Sequence, residues 1–120
     1  MKINIAKDYT ETPGGRTRKE GKFSGEDFRE NILLNKCLNA IDTEEKIEVD
    51  LDGGYGYGSS FLEEVFGGLI RRLFDEQIAT DKIKNLKDRI IVKSDEEPAL
   101  IKQVYTYMED AMAEKSQYEK

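Results

Sequence analysis

The chain has 120 residues, the size of one compact domain (1–120), with 37% charged and 38% hydrophobic residues and a net charge of −6. That balance argues against a general nucleic-acid binder, which needs a basic face to displace counterions. There is no histidine and a single cysteine, Cys37; zinc sites, Ser-His-Asp triads, Cys-His dyads and an internal disulfide are thereby excluded.

In chain order, Ile3-Asn4-Ile5 alternates with polar neighbours and predicts a strand. Residues 8–22 show no hydrophobic period, contain Pro13-Gly14-Gly15 and predict a basic, glycine-rich loop, with a short strand around Lys22-Phe23 as its one candidate element. Ser24 is placed to cap a helix carrying Phe28, Ile32, Leu34, Cys37, Leu38 and Ile41. Lys46–Leu51 alternates cleanly, with Ile47, Val49 and Leu51 on one face. A second helix is predicted from Ser60 to Glu76, its apolar pairs Phe61-Leu62, Val65-Phe66, Leu69-Ile70 and Leu73-Phe74 repeating every four residues. Arg89-Ile90-Ile91-Val92 reads as a buried strand, and a third helix opens near Ser94 to Pro98, with Leu100, Ile101, Val104, Tyr105, Met108 and Met112 as its stripe. The segment 114–120 reads as a frayed tail. Strands alternating with helices predict an α/β fold: a small, single-layer, mainly parallel sheet flanked by helices.

Function should concentrate in Asp50–Ser60, which holds four of the ten glycines between a strand end and a helix start. Ligands bind at that edge of open α/β sheets. The spacing Gly54-x-Gly56-x-Gly58 is not a dinucleotide fingerprint, and the segment has no lysine for a P-loop. Asp50, Asp52, Glu63 and Glu64 repel phosphate; they also allow an alternative reading as a small divalent-metal-dependent enzyme or ligand binder, against the plainer one of a solvated acidic turn. Ser60-x-x-Glu63 fits a capping box, which leaves Ser59 outside the cap as the candidate for modification or contact. Tyr55 and Tyr57 read either as exposed anchors or as a lid folded on the core.

Several runs together resemble a known family: Ile3–Asp8, Pro13-Gly14-Gly15-Arg16, Phe23–Arg29, Val49–Asp52, and Gly56–Glu64 continuing to Leu69. The chain is similar to the bacterial STAS-like family of unknown function, and more distantly to the STAS domains of anti-sigma-factor antagonists. In the antagonists a serine at the helix N-terminus is phosphorylated by a kinase; here Ser59 takes that place, with Gly58 where they have aspartate and Phe61 where they have glycine. The resemblance implies partner switching with a GHKL-type ATPase or a kinase.

The expected function is therefore a non-enzymatic regulatory module, without cofactor, metal or catalytic residues. Ser59 is its candidate phosphoacceptor and switch, and Tyr55, Gly56, Tyr57, Gly58, Ser59 and Arg16 form its partner-binding surface. Arg16, Arg18 and Lys19 together read as a solvated loop; the specific alternative has Arg16 fold onto Asp50 or Asp52 and order the glycine loop. A third alternative, a nucleic-acid-associated defence or repressor assembly, would use that basic loop. Gly67-Gly68, on the polar side of the second helix, suggests close approach of a partner or a second subunit, hence a homodimer, or packing beneath Pro13-Gly14-Gly15. With no signal-like stretch in Met1–Asp8 and no span-length apolar run, a cytoplasmic protein away from membranes is expected.

Overall fold

The computed structural model describes residues 1–116. Strand β1 is Lys2–Asn4. Asn4 then caps a one-turn helix, α1 (Ile5–Asp8), its side chain accepting from the Lys7 N–H at 2.8 Å. Ile5, expected in the strand, is thus the first residue of α1.

The glycine-rich loop lies against the chain that follows it. Gly14 N–H donates to the Phe23 carbonyl, Gly25 N–H to Gly15 and Glu26 N–H to Arg16, each at 2.9 Å. A Cβ on Gly14 would stand 2.5 Å from the Lys22 carbonyl, so only glycine permits this approach. No strand forms at Lys22-Phe23. Phe23 instead takes a φ of 58°, an outlier for a bulky residue, and its ring packs edge-on against Tyr9 at 5.5 Å.

Helix α2 is continuous through Gly25–Phe28, a π-helical turn at Arg29–Leu33, and Leu34–Ala40. Ser24 caps it as expected, accepting from the Asp27 N–H at 3.0 Å. The wider turn shifts the helix face: Leu33 is buried, while Ile32, Leu38 and Ile41 are only partly so.

After β2 (Ile47–Asp50), helix α3 runs through Ser59–Leu62, a second π turn at Glu63–Gly67, and Gly68–Asp75. Its apolar pairs repeat every four residues, which outruns an α-helix by roughly one residue over three repeats. One π turn absorbs that residue and keeps Phe61, Leu62, Val65, Phe66, Leu69, Ile70 and Leu73 on the buried side. Helix α4 (Thr80–Asp88) was not expected; it buries only Ile83 and Leu86. Strand β3 (Ile90–Lys93) and α5 (Ala99–Ser116) complete the order. Helix α5 takes in Glu114, Lys115 and Ser116 of the segment expected to fray, and the rest of that tail lies outside the described residues.

The three strands are parallel, in the order β1-β2-β3, with Ile3 opposite Val49 and Val49 opposite Val92. Parallel crossovers take the right-handed sense, and two that step in one direction then place their helices on the same face. Burial follows: Ile3, Ile47, Val49, Ile90 and Val92 are buried. Lys2, Ile91 and Lys93 on the other face are exposed. Ile91, expected inside a buried strand, is 38% exposed, because helices cover only one side of the sheet. The outer margin of β3 is closed by a side chain. The Tyr105 hydroxyl donates to the Ile90 carbonyl at 2.8 Å and accepts from the Val92 N–H at 3.3 Å.

Candidate functional site

The loop joining β2 to α3 lies at the carboxyl ends of the parallel strands. Asp50 accepts from the Asp52 N–H at 2.9 Å, turning the chain out of the strand. The Asp52 carboxylate then accepts from the N–H groups of Asp95 at 3.0 Å and Glu96 at 2.9 Å, and the Glu96 carboxylate in turn accepts from Gly53 N–H at 2.7 Å. This reciprocal latch ties the loop to the turn before α5. The N–H bonds from Glu96 and Asp95 hold the Asp52 carboxyl below its ordinary range.

Two glycines make the next turn: Gly53 has a φ of 100° and Gly56 one of 114°, values that favour glycine. Between them, Tyr55 N–H donates to the Glu11 carbonyl at 2.9 Å.

The two tyrosines part company. Tyr57 folds inward: its hydroxyl donates to the Leu51 carbonyl at 3.0 Å and its ring lies 5.8 Å from Phe61. Burial, reinforced by Asp50, Asp52 and Glu96, pushes its phenol up to about 12. Tyr55 is 83% exposed. A cavity of about 210 Å³ separates the loop from the start of α5, with Leu51 and Leu100 among its apolar walls and Glu96 and Glu97 among its acidic ones.

Helix α3 begins one residue earlier than expected. Gly58 is the N-cap, with φ −75° and ψ 150°, and no side chain caps the first turn. Ser60 is therefore inside the helix and forms no capping box with Glu63. Gly58, Ser59 and Ser60 are all exposed. Ser59, expected just outside the helix, is its first residue.

Glu63 turns instead to two arginines. Arg71, two turns further along α3, bonds it through both terminal nitrogens at 2.8 and 3.1 Å, and Arg16 bonds it as well. Arg16 also reaches Glu64 at 3.2 Å, so it docks on α3 rather than on Asp50 or Asp52. Glu64 receives Arg29 too, and Arg29 and Arg72 share Glu30. Arg18 pairs with Asp27 at 3.1 Å. The loop arginines are thus spent within the fold, which removes charge from the nucleic-acid alternative. The four carboxylates expected around the loop divide into two separate groups. Asp50 and Asp52 stay with the turn, and Glu63 and Glu64 join the arginines. Among the described residues no three carboxylate or thiol side chains are grouped to hold a metal ion.

Gly67 and Gly68 are buried rather than on the polar side of α3. A Cβ on Gly68 would collide with the Arg29 guanidinium, and one on Gly67 with the Glu63 carboxylate. Within the chain the glycines make room for the ionic groups, not for the Pro13-Gly14-Gly15 loop. Sequence reasoning missed this network; the one local signal is Glu63-Glu64 lying eight residues before Arg71-Arg72 across the glycine pair.

A parallel sheet covered on one face, with a glycine-tyrosine loop at its carboxyl edge leading into a helix, defines a small α/β domain. Residues 24–99 match the family model of the STAS-like domain of unknown function (DUF4325), and the chain belongs to that family. No curated protein and no solved structure matches it. No helix among the described residues is long and apolar enough to cross a membrane.

Proposed function

We propose that the domain is a non-enzymatic regulatory module that binds a protein partner, a GHKL-type ATPase or a kinase, and is released from it by modification of Ser59. The observation that carries this reading is the exposure of Tyr55 on the loop and of Gly58-Ser59-Ser60 at the N-terminus of α3. Neither serine hydroxyl has a hydrogen-bond partner among the described residues, so both are available without cost to the fold. Tyrosine supplies contact area at low entropic cost, and the latched loop holds it in place.

A phosphate on Ser59 would be favoured by the helix end by about 0.3–1 kcal/mol. A partner surface matched to the neutral turn would have to desolvate the new charge, at a larger cost. Ser59→Asp should therefore lose the partner while melting like the wild type, Ser59→Ala should retain it, and Tyr55→Ala should lose it. The measurement is affinity capture from the native cell with each variant, the retained proteins identified by mass spectrometry, beside thermal melts. Equal capture by wild type, Ser59→Asp and Tyr55→Ala would overturn the proposal.

A further inference from the structure

Beside Gly68, away from the glycine-tyrosine loop, lies a second cavity of about 220 Å³, lined by Arg29, Arg71, Arg72 and Lys115 together with Glu64 and Asp75. Four cationic side chains line it, against the lining carboxylates Glu64 and Asp75 and the arginines' further partners Glu30, Glu63 and Glu76.

Each arginine is held by a carboxylate, of which Glu64 itself lines the cavity, and keeps a nitrogen unspent. Arg29 uses Nε on Glu30 and Nη1 on Glu64, which leaves Nη2. Arg71 uses both terminal nitrogens on Glu63, which leaves Nε. Arg72 uses Nε on Glu30 and Nη2 on Glu76, which leaves Nη1. Lys115 is half-buried and makes no ion pair among the described residues.

Arg29 is the decisive member. Its side chain is only 7% exposed, yet no sealed polar side-chain atom among the described residues lacks a partner. The unbonded Nη2 must therefore open onto accessible space, and the space that Arg29 lines is this cavity. In that space water or an anionic ligand can accept from it.

The backbone is specialised at the same spot. Arg29 begins one π turn and Glu64 lies in the other, and Gly68 keeps the guanidinium in place by having no Cβ. Such turns recur at functional sites. Carboxylates that orient arginines are the arrangement that preorganises an anion site. Donors from three arginines and a lysine, approaching from different elements, outnumber the two oxygens of a carboxylate and suit the several oxygens of a phosphoryl group.

We propose that this cavity binds the phosphoryl group of a small molecule. Arg29 forms its floor, and Arg71, Arg72 and Lys115 its sides. Asp75, with no ion pair among the described residues, is a repelling group at the rim. The site shares no residue with the surface around Ser59 and stands independently of the partner reading.

The test is calorimetric titration of the full chain with inorganic phosphate, pyrophosphate and ADP at matched low ionic strength, with acetate as control. Saturable binding of pyrophosphate, weakened about tenfold or more by Lys115→Gln or Arg71→Gln and strengthened by Asp75→Asn, is the expected result. ADP binding no tighter than pyrophosphate would assign recognition to the phosphoryl group alone; tighter ADP binding would assign a nucleotide. Lys115→Gln removes no ion pair among the described residues and keeps the test valid even if Arg71→Gln fails to fold. No saturable binding of any of the three probes, or equal affinity in wild type and Lys115→Gln, would overturn the proposal.

Discussion

Glycine 58 leaves the first turn of α3 without a side-chain acceptor, although its φ of −75° and ψ of 150° suit any residue and no atom lies within 4 Å of a Cβ built there. An aspartate at this position would accept from a first-turn N–H and oppose the helix dipole. Gly58→Asp should therefore raise stability by about 0.5–1 kcal/mol, read as a higher urea midpoint. Ser60→Ala should change it by less than about 0.5 kcal/mol, since Ser60 caps nothing. Gly25 is the opposite case. Its backbone passes so close to α3 that a Cβ would stand 2.7 Å from the Phe61 carbonyl and 3.1 Å from Glu64 Cβ. The carbonyl belongs to a packed helix and has nowhere to go, so Gly25→Ala should cost about 1–3 kcal/mol in the same measurement, despite alanine's better helix propensity.

The helices show where pattern reading succeeds and where it stops. The α3 stripe is unmistakable because seven buried apolar side chains recur on one side, and even its period of four, slightly too long for an α-helix, anticipates the π turn. Helix α4 escapes notice because only Ile83 and Leu86 are buried among polar neighbours, one contact turn with no stripe. The Ser60-x-x-Glu63 cap is a local inference that a distant partner defeats: Arg16, 47 residues away in sequence, and Arg71 take the carboxylate. Ion pairs carry no period, so the arginine network joining α2, α3 and the basic loop could not be read ahead of the fold. That network has a pH signature. The bonds from Arg71, then Arg16, hold the Glu63 carboxyl below its ordinary 4.5 despite partial burial. Burial pushes Glu30 upward, but Arg29 and Arg72 outweigh it and leave its carboxyl lowered too. A depressed folded-state value means stability that is fully present above 4.5 and is lost as the pH falls through the lowered values. Urea midpoints should drop on acidification below that point, and Glu63→Gln should drop less steeply while starting lower at neutral pH.

At the scale of the molecule, the alternation of strand and helix foretells the parallel sheet, and the register places Ile47 and Val49 on the buried face as expected. What alternation does not disclose is that one face of the sheet stays open, leaving Lys2, Ile91 and Lys93 exposed. Nor does it show how the last strand ends the sheet. Tyr105→Phe would leave the Ile90 carbonyl and the Val92 N–H without their shared partner. It should cost about 1–2 kcal/mol and introduce concentration-dependent light scattering absent from the wild type. The hydroxyl's position has a consequence for assembly. A sheet open at both margins can recruit copies of itself without limit, because each addition presents a fresh template. With the β3 margin stoppered, only the three-residue β1 margin can recruit, and two copies joined there would each turn a stoppered margin outward. Strand-to-strand pairing through the β1 margin alone would terminate at a pair, and the Tyr105 hydroxyl is what withholds Ile90 and Val92 from such growth.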